Sequence, residues 1–509
     1  MRTSVHKTVG PSVPGRAVLV ALLAAALAAP GPAVAASQTP PPSWTVGVVQ
    51  TTANLAQRLA RLPDLRFRRW HPHDMPVIDV DDTVHYQPIT GIGASMTDSS
   101  AWLIHDELSP QAGDQLLARL FGFGGIRLSF LRVPMGASDY ILNDLPYTYD
   151  DPPHGQSDPT LSDFTIDHDL AYILPTLQTA RRDNPDLDLL ANPWSPPPWM
   201  KTNDLITNVE ALGSLRASAY KALAQYFVRF LEAYADEGVR IDAITPQNEP
   251  ASGLPGVSYP GLTLPEPDEA KFIAGDLSPA LTKAHLNVGI YGGDLSWGGS
   301  DYSESLARTD HSDLAGIAWH CYFGTPTVMS QLHQNYPRMD QIADECSPEI
   351  RSFGTPEYLI SSLRNWASAV AVWNLALDPQ GGPKLPQNGC FGCTGIVTIN
   401  EQTHTVTLRK KYFDIAQVSA FLRPGAVRIA SNNFVSYGPN ASDVEQVTPG
   451  LDDVAFLNPN GNRVLVAYDN SLVATTFAVA WHGRAFEYTL TPGTMVTFLW
   501  NPDAQHPTR

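Results

Sequence analysis

The stretch ITPQNEP, residues 244–250, runs from an apolar lead-in (Ile241, Ala243, Ile244) directly into Gln247, Asn248 and Glu249, and stops at Pro250. Apolar strands often end in turn residues, and Asn-Glu-Pro can form a plain polar turn. The alternative is a buried strand that delivers a carboxylate and two amides to a catalytic edge. The choice rests on whether the pattern recurs, and it does. Seven further apolar runs end in polar or aromatic groups: TGIGASMTD (90–98), SFLRVPMG (129–136), LDLLANPW (187–194), NVGIYGGD (287–294), AGIAWHCY (315–322), QIADEC (341–346) and AVAVWNLAL (369–377). Amphipathic stretches lie between the runs. The clearest is ALAQYFVRFLEAYADEG (222–238), where Leu223, Tyr226, Phe227, Phe230, Leu231 and Tyr234 share one helical face and Gly238 ends the helix.

Eight such strand–helix units predict an α/β chain with a (β/α)8 TIM barrel over residues 87–424. A doubly wound sheet would call for a Gly-rich phosphate turn, and Gly122-Phe-Gly-Gly125 lacks its spacing. Past residue 425 the helical pattern stops. VRIASNNF, DVAFLNPNGNRVLVAYD, FAVAW and MVTFLW read as strands, with a hairpin at Asn458–Gly461. Residues 425–502 therefore predict an accessory β-sandwich, completed by strands from 37–86, with 503–509 as a tail.

The remaining features bound the environment. Arg2, Lys7 and Arg16 precede an apolar run from Ala17 to Ala29 and an Ala33-Val34-Ala35 cleavage pattern, so residues 1–36 read as a signal peptide cut near Ala35, and the protein as secreted. That run is too short to span a bilayer, and no stable membrane insertion is expected. A net charge of −18 without a dense Lys/Arg run argues against nucleic acid. Cys390-Phe-Gly-Cys393 reads as a short-loop disulfide, because no second CxxC or paired His lies nearby to complete a zinc site. Cys321 and Cys346 read as small buried residues whose pairing is left open. His71-Pro-His73-Asp74 is metal-like in composition but lies outside the barrel and reads as a surface loop.

Barrels of this kind place their chemistry at the C-terminal strand ends. Those ends offer Asp98, Arg132, Trp194, Asn248 with Glu249, Asp294, His320 with Tyr322, Glu345 and Trp373. Glu249 and Glu345 are 96 residues apart, three repeats of ordinary length, which sets them across one mouth. Two opposed carboxylates are what glycoside hydrolysis requires: one protonates the leaving oxygen while the other attacks or activates water. Trp194, Trp373, Tyr322 and Tyr259, with Trp199 as a further candidate, offer flat surfaces for the apolar face of a pyranose.

Taken together, GIGASMTDSSAW (91–102), LRVPMGASDY (131–140), ANPWSPPPWMKTN (191–203), TPQNEP (245–250), AWHCY (318–322), ADECSP (343–348) and WNLALDPQGGP (373–383) resemble glycoside hydrolase family 30, in particular its glucosylceramidase branch. The resemblance implies the same barrel-plus-sandwich fold, Glu249 as acid/base and Glu345 as nucleophile. It also implies that Asp98, Trp194, Asn248 and Trp373 hold the sugar, and that Arg132, His320 and Tyr322 lie close to the nucleophile. Tyr259, Asp294 and Asn388 complete the expected substrate-binding set. KLPQNGCFGC around Asn388 departs from the glucosylceramidase pattern, which bears on ceramide as leaving group. The expectation is a secreted retaining β-glycosidase of β-glucosides, glucosylceramidase-like, acting on a carbohydrate or glycolipid with no metal or organic cofactor. The alternatives are an endo-β-1,6-glucanase or galactanase or a β-xylosidase, and, in another class, an inactive carbohydrate-binding protein, which the presence of both glutamates disfavours.

Overall fold

A computed structural model of the chain describes residues 44–502, apart from 72–73, 209, 252–257, 311, 388 and 438–446. The expected signal peptide, the tail, part of the His71–Asp74 loop and Asn388 lie outside the described residues.

Eight parallel strands close into a barrel: β1 (Gly91–Ser95), β2 (Phe130–Met135), β3 (Asp188–Pro193), β4 (Ala243–Ile244), β5 (Gly289–Ser296), β6 (Gly316–His320), β7 (Asp340–Glu345) and β8 (Ala369–Val372). Neighbours in sequence are neighbours in space, and β8 pairs with β1 to complete the ring. Strands covered on both faces read as continuous apolar runs, which explains why β1, β2, β6 and β8 are buried along their whole length. The lumen is filled by Phe130, Leu190, Ala318, Ile342, Ala369 and Ala371. The ring is tight at Gly93, where an added Cβ would lie 1.6 Å from the Phe130 carbonyl oxygen.

The helix expected near 222–238 spans Tyr220–Asp236, with Leu223, Tyr226, Phe227, Phe230, Leu231 and Tyr234 buried on one face and Gly238 at φ +76°. Two expected strands are shorter than their apolar runs. β4 stops at Ile244, because Pro246 has no N–H to offer the ladder. The run 369–377 breaks after Val372. Its last residues, Ala376–Leu377, join a separate three-stranded sheet with Val397–Asn400 and Thr405–Leu408.

The sandwich draws on both ends of the chain. Its larger sheet orders the strands Ala60–Arg66, Thr45–Thr51, Thr494–Trp500, Arg463–Asp469, Leu451–Leu457, Val427–Ala430 and Asp81–Pro88. The smaller sheet adds Arg68–Arg69 and Val77–Asp79 to the hairpin of Thr475–Trp481 and Arg484–Leu490. An aromatic core of Phe67, Phe477, Trp481, Phe486, Phe498 and Trp500 lies between them. Leu451–Leu457 and Arg463–Asp469 form the hairpin expected around Asn458–Gly461. No helix among the described residues is long and apolar enough to cross a membrane.

Candidate active site

Beyond Ile244 the chain turns over the barrel mouth. The Asn248 N–H donates to the Pro193 carbonyl at 2.9 Å and the Glu249 N–H to the Asp294 carbonyl at 3.0 Å, tying this turn to β3 and β5. Glu249 itself has φ +45°, and left-handed backbone recurs at Asp294 (φ +51°) and Asn374 (φ +73°). Each such non-glycine residue costs about 1–2 kcal/mol. The surrounding structure holds these three in place, as is common where side chains must be aimed. QNEP is thus neither a strand edge nor an idle turn; it is a strained loop that presents Glu249.

Arg132, on β2, is the hub of the mouth and has no exposed surface. Its Nη1 donates to Glu345 Oε2 at 2.5 Å and its Nη2 to Asn248 Oδ1 at 2.7 Å and Asp294 at 3.2 Å, while Nε lies 2.8 Å from Asp344 Oδ2. Burial opposes the guanidinium charge, but Asp294, Glu345 and Asp344 outweigh it and hold the group firmly protonated. Asp294 is also pushed up by burial, and Arg132 and His320 more than reverse this, so it stays well below the ordinary carboxylate range. Asp344 goes the other way: burial and the neighbouring Asp294 charge push it well up.

His320, at the end of β6, is fully buried between carboxylates. Its Nε2 lies 2.7 Å from Asp294 Oδ1, and its Nδ1 lies 3.2 Å from Glu249 Oε1 and 3.8 Å from Glu345 Oε1. Burial disfavours its charge, but Glu345 and Asp294 prevail and raise its pKa well above the ordinary value. One imidazolium therefore stands between the two glutamates. The Tyr322 hydroxyl donates to Glu345 Oε1 at 2.8 Å, so the Glu345 carboxylate is gripped from two sides. Asp294, His320 and Asp344 are close enough together to ligate a metal, but the guanidinium of Arg132 already lies among them as the compensating cation.

A cleft of about 750 Å³ opens over this layer, lined by Glu249, Glu345, Trp194, Trp373, Tyr259 and Tyr322, together with Asp139, Cys390 and the apolar rim of Phe323 and Ile350. Trp194 and Trp373 stack at 5.4 Å between centroids, and Tyr259 meets Trp194 edge-on at 5.5 Å. The Trp194 Nε1 is buried without a partner among the described residues.

Three expected substrate contacts belong to the supporting layer instead: Arg132, Asp294 and His320 are fully buried and spend their polar atoms on each other and on the glutamates. Asn248 sits beside Glu249 with its Oδ1 taken by Arg132. Asp98 does not line the cleft. Its carboxylate accepts from His168 (2.5 Å), Tyr172 (3.1 Å), Tyr147 (3.3 Å) and the Leu142 N–H (3.0 Å), so both oxygens have partners within the protein. Trp199 likewise donates to Asp150 at 2.8 Å in a different groove.

The family model described as the glycosyl hydrolase family 30 TIM-barrel domain matches residues 89–422, and the family 30 beta sandwich domain matches 425–498. The chain belongs to glycoside hydrolase family 30. It is 33% identical to the endo-1,6-β-D-glucanase neg1 of Aspergillus fumigatus over 431 residues, covering 80% of this chain and 85% of the relative. It is 28% identical to the lysosomal acid glucosylceramidase of Mus musculus over 444 residues, covering 82% and 81%. Among solved structures, the endo-β1,6-glucanase BT3312 superposes with a TM-score of 0.77 at 27% identity, covering 90% of this chain and 99% of that one. The relatives thus favour the glucanase alternative over the glucosylceramidase-like expectation.

Two features of this family 30 site escape the sequence reading. Asp139, within the LRVPMGASDY motif, lines the cleft at 4% exposure, with Oδ1 unpartnered among the described residues. Burial pushes its carboxyl up, the Cys390 N–H pulls it down, and Glu345 and Glu249 push it up again, to about 8. The second is a disulfide joining Cys321 to Cys346, the residues directly after His320 and Glu345. The register that pairs His320 with Glu345 across β6 and β7 brings these two cysteines together. The structure also links Cys390 to Cys393.

Proposed function

We propose that this glycoside hydrolase is a secreted, retaining endo-β-1,6-glucanase that works by double displacement. The observation that carries the reading is the pair of glutamates on one Trp-walled cleft, with a single imidazole nitrogen within 4 Å of both. Retention needs carboxyl groups about 5–5.5 Å apart, and a shared neighbour at that range is compatible with it. The environments divide the roles. Glu345 is nearly buried and hydrogen-bonded by Arg132 and Tyr322, the setting of a nucleophile that must be ionised and aimed. Glu249, with a side chain 20% exposed, faces the cleft, where it can protonate the leaving oxygen and then deprotonate water. His320 steadies the pair. Asn248 offers its amide NH2, Trp194 its indole N–H, and Asp139 its free oxygen to the hydroxyl rim of the sugar.

The choice of β-1,6-glucan follows the relatives, and the departure around Asn388 is in keeping with it. A glycolipid reading is favoured by one observation, the exposed apolar rim of Phe323 and Ile350. Incubation with linear β-1,6-glucan, glucosylceramide and aryl β-glucosides separates the two. Short oligosaccharides of β configuration released from glucan, with little ceramide release, are expected. Ceramide release with intact glucan would replace this reading, and initial products of α configuration would remove the retaining mechanism.

A further inference from the structure

We propose that the Cys390–Cys393 loop is a positioning element for sugar recognition, holding the Asp139 carboxyl in place through the Cys390 backbone N–H. The inference rests on the reading of the cleft as a sugar site and adds a part to it.

The Cys390 N–H donates to Asp139 Oδ2 at 3.0 Å, across 251 residues of sequence. Asp139 is also fixed at its own backbone, where its carbonyl accepts from the Leu385 N–H at 3.0 Å. The Cys390 carbonyl accepts from Lys384 Nζ at 2.8 Å and the Tyr140 hydroxyl at 3.3 Å, so the residue is held from its N–H and from its carbonyl. At the other end Cys393 is 2% exposed, and its sulfur lies 2.9 Å from the Ser347 hydroxyl, which must be the donor because a disulfide sulfur carries no proton. Thr394 bonds Glu349 through both its N–H and its hydroxyl. Cys393 is therefore anchored to the loop that follows the nucleophile.

Between these anchors the loop is open to solvent. Phe391 is 94% exposed, and Gly392 at φ +88° turns the chain. The covalent bond is what ties the Cys390 peptide to the anchored Cys393. Without it Cys390 is left with only the two contacts at its carbonyl, and the hold of its N–H on Asp139 loosens. The carboxyl is too buried to find water in exchange, and Oδ1 has no protein partner among the described residues to compensate, so the side chain must rotate. The oxygen presented to the sugar is then lost while the two glutamates, held by Arg132, Tyr322 and His320, stay where they are.

The test is a mutant cycle of Cys390→Ser/Cys393→Ser, Asp139→Asn and the triple variant, with kcat, KM and Tm measured on an aryl β-glycoside that the wild type cleaves. A series of the same glycoside lacking one hydroxyl at a time completes it. Loss of one hydrogen-bonded contact to the sugar is worth about a tenfold fall in kcat/KM for the double serine variant, carried mainly by KM. The triple variant is expected to be no worse than Asp139→Asn, because both act through one contact. One deoxy substrate should lose its penalty in both the serine and the Asn variants. A serine variant within twofold of wild type, losses that multiply with Asp139→Asn, or an unchanged deoxy penalty each overturn the proposal. If the serine variant does not fold, reduction of the folded wild type, with opening of Cys390–Cys393 verified by peptide mapping, replaces it under the same criteria. Wild-type activity on β-glycosides tests the functional reading separately, since the cycle is scored only against that activity.

Discussion

Replacing Arg132 by Gln removes the one guanidinium around which the mouth is built. In the wild type, Arg132 and the protonated His320 offset the charges of Asp294 and Glu345, while burial and Asp294 push Asp344 toward its neutral form. Gln keeps part of the bulk but leaves one buried negative charge uncompensated, a loss of about 3–5 kcal/mol. At about 2.1 cal/mol/K of unfolding entropy per residue, a unit of about 450 residues shifts by about 1 °C per kcal/mol, so Tm should fall by about 3–5 °C. Catalysis suffers more. The Nη1 donor 2.5 Å from Glu345 aims and stabilises that carboxylate, and losing one such preorganised donor costs about a hundredfold or more in kcat. The cluster can regain neutrality only by binding a proton, so the acidic limb of the kcat/KM profile should move toward neutral pH. Arg132→Lys keeps the charge, but a single ammonium cannot reach Glu345, Asn248 and Asp344 together; it should recover much of the Tm and little of the kcat. Calorimetry and pH–rate profiles of both variants check this. A Gln variant with Tm within 1 °C, kcat/KM within threefold and an unmoved acidic limb would refute the view of Arg132 as the charge that holds the site together.

The other expectations concern separate parts of the molecule. Glu345→Gln should nearly abolish turnover on every substrate, and a fluoro-sugar inhibitor should label Glu345 in the wild type; label on Glu249 would reverse the assignment. Glu249→Gln should retain activity on activated aryl glycosides and be rescued by azide as a β-glycosyl azide, because azide needs no general base; an α product would contradict retention. Trp194→Ala should lower kcat/KM by more than tenfold, measured at a temperature where the variant is folded, and near-wild-type kinetics would make Trp194 a packing residue only. Cys321→Ala/Cys346→Ala opens a link across 25 residues and should cost about 3 kcal/mol, read as a lower denaturation midpoint; an unchanged midpoint would deny the bond a stabilising role. Asp139, Glu269 and Asp169 are raised by burial to about 8, 7 and 6, so the folded protein keeps protons that the unfolded chain releases above about pH 4. Their stabilising effect is present in acid and lost as pH rises through 6 to 8, whereas Asp294, held low, withdraws its contribution only in strong acid. Tm should therefore decline from about pH 5 to pH 8, and a Tm that rises over that interval would contradict these shifts.

Much of the protein was legible in its order of residues. A strand buried on both faces must be apolar throughout and a helix lying on it must be apolar on one side, so each unit announces itself locally, and eight in succession leave the barrel as the natural closure. The ends of those units displayed Glu249 and Glu345, and their spacing set them across one mouth. Where the chain departs from its local pattern, the sequence still held the reason: Pro246 cuts β4 short. Which carboxylate faces the sugar was not legible. Asp98 and Asp139 each follow a barrel strand by a few residues, and both belong to polar loop ends. The fold gives Asp98 three side-chain donors and a backbone N–H, and gives Asp139 one N–H and an open cleft. The same limit applies to Arg132, Asp294 and His320, whose residue types suit ligand contact equally well. Cys321 and Cys346 pair only because the register of β6 against β7 makes neighbours of residues 25 positions apart. Periodicity is a property of one segment and can be read along the chain, whereas a side chain's direction and its partners depend on several segments meeting. That meeting exists only in the folded molecule.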